Sequence, residues 1–274
     1  MDREIDFWRK YIFFPERELW VWPEDYNLKY EEVWFQATDR ISLYGWWIPG
    51  GRFVVLFAHG NGGNISHRAD IAARFYAQGF SVFLFDYRGY GKSKGKPTEK
   101  GTYKDAEGAL QYLLEKFGIP VSRIVPVGES MGGAIVVDLC TRFNFRAAVL
   151  ISCASSLSQV MCHLYPDRAW NRKFSGIYNS SMKISQAHSP MLIVHGDMDE
   201  LVPFDQAKEL FQRANFPKAF YRVRGASHND IYEVGGEQLF KRIREFVKKP
   251  ESLLSPRAKA VAHPARPNPK VHKM

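Results

Sequence analysis

Gly128-Glu129-Ser130-Met131-Gly132-Gly133 is the stretch that decides the fold of this 274-residue chain. The apolar run Arg123-Ile124-Val125-Pro126-Val127 before it predicts a short buried strand, and residues 134–140 after it predict a helix with one apolar face. Glycines two residues either side of a serine permit a sharp strand-to-helix turn in which a Cβ would clash. Such a turn presents the serine hydroxyl above the amino end of the helix, where backbone N–H groups favour negative charge.

Length and composition narrow the class of protein. Apolar residues make up 45% of the chain, enough for a substantial core in a single α/β domain. No window approaches the roughly 18 apolar residues of a transmembrane helix, and Met1-Asp2-Arg3-Glu4 lacks the layout of a secretory signal. Cys140, Cys153 and Cys162 show no metal-ligand spacing, which indicates a reducing compartment. We therefore expect a cytoplasmic protein, with contact at a membrane surface left open.

The formal charge of +9 is concentrated at one end of the chain. Residues 251–274 carry one anion, Glu251, and five cations, so this segment supplies +4 of the total. The cations are Arg257, Lys259, Arg266, Lys270 and Lys273. The segment is also rich in proline and alanine and has little to bury, which predicts a disordered basic tail. We therefore expect no nucleic-acid partner.

Strands and helices alternate after a β-rich opening. The predicted strands are residues 30–36, 41–48, 53–58, 81–85, 123–127, 147–152, 190–194 and 220–223. The predicted helices are residues 66–78, 102–117, 134–140, 205–213 and 237–248. Repeated strand–helix units imply an α/β fold with a mostly parallel central sheet and helices on both faces.

Two segments interrupt this rhythm and divide the chain. Residues 154–189 are too long for an ordinary connection and predict a small, partly helical cap, with a surface insertion as the alternative. Residues 1–28 are unusually aromatic and predict a strap along the sheet edge, with a membrane-interface segment as the alternative. The α/β domain then spans residues 29–250, and the basic tail spans residues 251–274.

Three side chains follow predicted strands at the same sheet edge. Ser130 needs a base to take its proton, and His228, just after the last strand, has a suitable ordinary pKa. The carboxylate that would orient the imidazole is assigned to Asp199 in preference to Asp197 and Glu200, because Asp199 lies on the crest of its loop. Ser130, His228 and Asp199 are therefore the candidate nucleophile, base and orienting acid.

Acyl transfer also requires N–H donors for the negative oxygen. The N–H of Met131, directly after the serine, is one candidate. The backbone N–H of Asn61 is the other, in His59-Gly60-Asn61-Gly62-Gly63-Asn64 after the strand at residues 53–58. A phosphate-binding loop is the competing interpretation, but the Lys-Ser/Thr ending is missing.

These residues resemble the α/β-hydrolase superfamily over residues 30–247. Four segments carry the likeness: His59-Gly60-Asn61-Gly62-Gly63-Asn64, Asp86-Tyr87-Arg88-Gly89-Tyr90-Gly91-Lys92-Ser93, Gly128-Glu129-Ser130-Met131-Gly132-Gly133 and His195-Gly196-Asp197-Met198-Asp199. They look like a subfamily of bacterial serine hydrolases and eukaryotic membrane-associated members, some of them depalmitoylases, that borders on serine aminopeptidases and monoacylglycerol lipases. The resemblance implies a nucleophile elbow, a triad of Ser130, Asp199 and His228, and an oxyanion hole at Asn61 and Met131.

The expected function is hydrolysis of a carboxylic ester or thioester through an acyl-enzyme, with no metal or organic cofactor. The apolar character of the cap favours a small-molecule or lipid-like acyl substrate, with Leu157, Met161 and Trp170 as its contacts. A serine peptidase working with the same three residues is one alternative. A non-catalytic binding protein with the same fold is another.

Overall fold

The computed structural model describes residues 10–166 and 174–253. Trp170 and residues 254–274 of the basic tail lie outside the described residues. The strands are β1 (Phe14–Pro15), β2 (Glu31–Gln36), β3 (Ser42–Ile48), β4 (Phe53–Ala58), β5 (Gly62–Gly63), β6 (Phe80–Phe85), β7 (Ile124–Glu129), β8 (Ala148–Ile151), β9 (Met191–Gly196) and β10 (Lys218–Val223). The α-helices are α1 (Ala69–Ala77), α2 (Glu99–Lys116), α3 (Met131–Cys140), α4 (Leu157–Leu164), α5 (Ser180–Lys183), α6 (Phe204–Arg213) and α7 (Ile231–Lys248). Short 3-10 helices lie at Pro23–Tyr26, Ile65–Arg68, Val121–Arg123, Ile184–Gln186 and Pro250–Leu253.

Eight strands form one sheet in the order β10-β9-β8-β7-β4-β6-β3-β2. The pairings β2–β3 and β3–β6 are antiparallel, and the other five are parallel. This arrangement confirms the predicted mostly parallel sheet. Strand β7, which leads into Ser130, lies between β4 and β8 in the interior of the sheet.

The core is divided by the sheet into two layers. Side chains of β4 alternate between them, with Leu56 in one cluster and Val55 and Phe57 in the other. Helices α2 and α3 cover the first face, and α1 and α7 cover the second. Both faces of the parallel strands are therefore buried, which explains their continuous apolar sequences.

Helix α7 begins earlier than its predicted start at residue 237. Gly236 has φ 49° and ψ −151°, so a kink separates a short first turn from the long second part. A glycine accommodates this positive φ without the clash of a Cβ. The first turn, which starts at Ile231, extends the helix toward the loop that carries His228.

The amino-terminal segment makes a short strand pairing with the glycine-rich loop. Strand β1 pairs in parallel with β5, with Phe14 opposite Gly62. The Phe14 N–H donates to the Asn61 carbonyl at 2.9 Å. A pairing made only by backbone groups leaves no side-chain pattern, so the sequence did not indicate it.

No helix among residues 10–166 and 174–253 is both long and apolar enough to cross a membrane.

Candidate active site

The turn between β7 and α3 is held in a strained conformation. Ser130 has φ 51° and ψ −115°, a region that non-glycine residues rarely adopt. A Cβ on Gly128 would lie 2.5 Å from the Gly132 carbonyl oxygen, and one on Gly132 would lie 2.0 Å from the Ala58 carbonyl oxygen. The Ser130 N–H donates to the Ile151 carbonyl at 2.9 Å. The turn therefore needs both glycines, and it anchors the serine between the ends of neighbouring strands.

The structure brings together the three side chains that the sequence singled out. The Nε2 atom of His228 lies 3.1 Å from the Oγ of Ser130. The Nδ1 atom of His228 lies 2.8 Å from Oδ2 of Asp199. Since an ionised carboxylate only accepts hydrogen bonds, Nδ1 carries the proton and Nε2 of the neutral ring faces the serine hydroxyl. This arrangement can remove a proton from Ser130.

The carboxylate of Asp199 is buried, and both of its oxygens have hydrogen-bonding partners. Its Oδ1 accepts the N–H groups of Leu201 at 3.0 Å and Val202 at 2.7 Å. Burial by itself would raise the pKa of Asp199, but hydrogen bonds from His195 and His228 outweigh it and hold that pKa well below its ordinary value. An anion fixed beside His228 can stabilise an imidazolium.

The neighbouring carboxylates of Asp197 and Glu200 have other partners. Asp197 forms an ion pair with Arg222 at 2.5 Å and accepts the Gly225 N–H at 2.6 Å. The Glu200 carboxylate accepts the backbone N–H of His228 at 3.5 Å. Neither contacts the His228 ring in the way that Asp199 does.

His195 is a site residue that the sequence analysis did not assign. Its Nε2 lies 3.2 Å from Oδ2 of Asp199 and 2.8 Å from the carbonyl oxygen of Val202. The side chain is completely buried at the end of β9. The sequence feature that could have indicated this role is the position of His195, four residues before Asp199 and directly after an apolar run.

Asn61 and Met131 line the same cavity as Ser130 and His228. The Asn61 side chain is already engaged, because its Nδ2 donates to the Ile12 carbonyl at 3.0 Å. The Asn61 carbonyl accepts both the Phe14 N–H and the Tyr90 hydroxyl. The assignment of the Asn61 backbone N–H as an oxyanion donor stays a prediction.

An apolar cavity of about 150 Å³ opens beside Ser130. Its apolar walls are Ile12, Met131, Ala134, Ala154, Leu157, Val160, Leu164, Leu201 and Val202, together with Tyr178. Of the expected substrate contacts, Leu157 lines this cavity. Met161 instead packs into the buried core, and its neighbour Val160 takes the cavity face of α4.

A second, polar cavity of about 460 Å³ shares Asn61, Ser130, Leu201 and His228 with the first. Its other polar lining groups include Glu16, His67, Arg68, Asp70, Glu129, Ser152, Asn229, Tyr232 and Glu233. Arg68 is paired with Glu129 at 2.6 Å, next to the nucleophile in sequence. The candidate nucleophile therefore lies between an apolar and a polar compartment.

A buried histidine and aspartate lie under the glycine-rich loop. His59 Nε2 and Asp86 Oδ1 are 3.7 Å apart, and both side chains are fully buried. Burial lowers the pKa of His59 to about 3 and raises the pKa of Asp86 to about 7. His59 is therefore neutral at ordinary pH and supports the loop as a hydrogen-bonding group.

Across residues 10–166 and 174–253, no group of three or more His, Cys, Asp and Glu side chains is arranged to hold a metal ion.

Comparison with known proteins yields consistent matches. A family model described as serine aminopeptidase, S33, matches residues 51–183. An uncharacterized protein of Mycobacterium tuberculosis is 35% identical over 220 residues, covering 79% of this chain and 78% of that protein. The human alpha/beta hydrolase domain-containing protein 17B is 34% identical over 202 residues, covering 73% and 68%. An esterase of Pyrococcus furiosus superposes with a TM-score of 0.75 at 23% identity, covering 87% of this chain and 97% of the esterase.

Proposed function

The chain belongs to the α/β-hydrolase superfamily, and from that premise we propose that it is a serine hydrolase of carboxylic esters or thioesters. One observation carries the proposal: the continuous hydrogen-bonded line from Asp199 through His228 to Ser130, at 2.8 and 3.1 Å. A nucleophile, a base and an orienting acid in hydrogen-bond reach are the requirements of nucleophilic acyl transfer.

The reaction follows from this geometry in two halves. Ser130 Oγ attacks the carbonyl carbon while His228 Nε2 takes its proton, and the N–H groups of Met131 and Asn61 donate to the resulting oxyanion. Collapse of this intermediate expels the alcohol or thiol, which receives the proton from His228. Water then attacks the acyl-enzyme by the same route and releases the acid. Asp199 stays ionised and stabilises the imidazolium in both halves.

The two cavities suggest how an ester lies across Ser130. An apolar acyl group gains most by leaving water for the apolar cavity beside Leu157. A polar leaving group keeps hydrogen-bonding partners in the polar cavity around Arg68 and Tyr232. We therefore propose an acyl substrate, a small molecule or lipid-like, whose leaving group is polar.

A fluorophosphonate probe and a graded series of nitrophenyl esters and acyl thioesters test the proposal. We expect the wild-type protein to be labelled and to turn over these substrates. The Ser130→Ala variant should lose labelling and at least about 10⁴-fold in kcat, since loss of the nucleophile removes covalent catalysis. Equal labelling of both proteins, or none of the wild type, would return us to a non-catalytic binding protein.

A second candidate, an aminopeptidase-like activity, also has an observation in its favour. The carboxylates of Glu16, Asp70 and Glu233 line the polar cavity, where they could pair with the ammonium group of an aminoacyl substrate. Aminoacyl nitroanilides distinguish the two candidates. Cleavage of these amides, together with failure of every ester and thioester, would favour the peptidase.

A further inference from the structure

The loop that carries Asn61 has little conformational preference of its own. Asn61 is flanked by Gly60 on one side and by Gly62 and Gly63 on the other. Glycines populate many backbone conformations, so this stretch would lose its geometry without external contacts. A donor for an oxyanion acts only when it is held in place before the reaction. The contacts that fix this loop therefore matter for catalysis.

One side of the loop is held by its own neighbour in sequence. The ring Nδ1 of His59 lies 2.8 Å from the carbonyl oxygen of Gly60. A carbonyl can only accept, so Nδ1 must be the donor. This carbonyl belongs to the same planar peptide as the Asn61 N–H, and in a trans peptide the two groups point in opposite directions. His59 thereby sets the direction in which the Asn61 N–H points.

The other side is held by the amino-terminal segment. The Phe14 N–H donates to the Asn61 carbonyl at 2.9 Å, and the Asn61 side chain donates to the Ile12 carbonyl at 3.0 Å. The Glu16 N–H continues the pairing to the Gly63 carbonyl at 3.0 Å. Asn61 is therefore clamped through both its backbone and its side chain by a segment 45 or more residues away in sequence.

The same segment also forms part of the cavity wall. Ile12 is buried and lines the apolar cavity together with Ser130 and Met131. A movement of residues 12–16 would thus displace the donor loop and reshape the cavity at once.

We propose that residues 12–16 are a positioning element of the active site, which holds the Asn61 N–H in place through hydrogen bonds to the glycine-rich loop. The role in turnover rests on the proposed function, since an oxyanion forms only if the chain performs acyl transfer. Phe14 and Ile12 act through Asn61 and do not themselves touch the reacting atoms.

A matched pair of variants at position 14 separates the backbone bond from the side chain. Phe14→Pro removes the N–H that donates to Asn61, whereas Phe14→Ala keeps it and removes only a ring that is 54% exposed. We expect Phe14→Pro to lower kcat about tenfold with KM within about twofold, less than the 10²–10³ that follows outright loss of a donor. Phe14→Ala should keep the wild-type kcat.

Asn61→Ala removes the side-chain bond to Ile12 and leaves the backbone N–H. If both bonds hold one loop, the combination with Phe14→Pro should cost less than the product of the two single effects. Hydrogen exchange across residues 58–66 gives a readout that needs no turnover. Hydrogen exchange of residues 58–66 should be faster in Phe14→Pro than in the wild type, while the melting temperature of the variant stays close to that of the wild type.

Unchanged exchange in Phe14→Pro, or a wild-type kcat in that variant, overturns the positioning role and leaves the proposed function standing. If the two substitutions lower kcat by factors that simply multiply in the double variant, the positioning role is likewise overturned, because the two hydrogen bonds would then act independently and would not hold one loop. Failure of the proposed function has a different signature. It appears as absence of Ser130-dependent turnover in the wild type, whatever the exchange of the loop shows.

Discussion

At the residue scale, position 199 differs from position 197 in what surrounds the carboxylate. Both aspartates lie in the loop after β9, two residues apart. Asp199 is buried against His195 and His228, whereas Asp197 pairs with Arg222, whose side chain is half exposed. Only the first environment lets a carboxylate fix the imidazole tautomer.

The substitution Asp199→Asn should lower kcat for a nitrophenyl ester by about 10⁴-fold, since an amide can donate to Nδ1 and place the ring proton on Nε2, where it blocks the serine. The matched substitution Asp197→Asn should change kcat by less than about twofold, because it removes only a surface ion pair. Steady-state kinetics on both variants checks this. Similar losses in the two would mean that Asp199 does not orient the base.

At the element scale, the strand-turn-helix unit of β7 and α3 depends on close backbone approach. Gly132 lies at the first turn of α3, and a Cβ there would be 2.0 Å from the Ala58 carbonyl oxygen of β4. Backbone cannot move aside as a flexible side chain can. The helix therefore packs against the sheet only when position 132 is glycine.

Gly132→Ala should destabilise the protein by about 1–3 kcal/mol or more, the usual result of forcing atoms into a close-packed site. Gly62→Ala is the matched control, since a Cβ there would meet nothing within 4 Å. Its free energy of unfolding should stay within about 0.5 kcal/mol of the wild type. Urea unfolding measures both, and equal midpoints for Gly132→Ala and the wild type would contradict the packing argument.

The strand-turn-helix unit of β7 and α3 and the cap helix α4 differ in how well the sequence predicts them. Apolar runs and glycine spacing predicted the main-sheet strands and the turn at Ser130 because those signals are local. The sequence did not show which face of α4 points toward the cavity. The helix starts after its N-cap Ser156, and this start places Leu157, Val160 and Leu164 on the cavity face and turns Met161 away. Composition indicated an apolar cap without fixing that phase.

At the scale of the whole molecule, stability responds to the buried carboxyl of Asp86. Its pKa is raised to about 7 by burial, from an ordinary value near 3.9. Between about pH 4 and pH 7 the native state keeps a proton that the unfolded chain has lost. The contribution of Asp86 to the free energy of unfolding therefore falls by on the order of 4 kcal/mol as pH rises through this window, and levels off above it. Buried His59 acts in the opposite direction below about pH 6.5, because its pKa is lowered to about 3 and the unfolded chain there binds a proton that the native state lacks.

Asp86→Asn should remove this contribution, so the free energy of unfolding of the variant should rise relative to that of the wild type between pH 5 and pH 7. The amide does not ionise and can still accept the Ile65 N–H that Asp86 accepts at 2.9 Å. Asp205→Asn is the control, because the Asp205 side chain is 87% exposed. Urea midpoints from pH 5 to pH 8 measure the effect. A profile of Asp86→Asn that runs parallel to those of the wild type and the control would show that Asp86 ionises without cost.

The whole-molecule arrangement also shows where prediction from sequence ended. Alternating strands and helices predicted a parallel sheet, and chain order placed Ser130, Asp199 and His228 at one edge. The attachment of Phe14 to the loop at Gly62 was beyond reach, because it is made by backbone groups that every residue carries. The roles of His195 and of the acidic lining of the polar cavity likewise depend on neighbours distant in the chain.

The strand order also bears on how the chain folds while it is being synthesised. One contiguous half of the sheet is made by the four strands that leave the ribosome first, β2, β3, β4 and β6. The other half is then added outward from β4 in the order of synthesis, by β7, β8, β9 and β10. Each later strand finds its neighbour already in place. Until β7 emerges, however, one edge of the apolar strand β4 has no partner, and an unpaired strand edge invites association with other nascent chains. The strand that carries the serine is thus also the one that closes this edge.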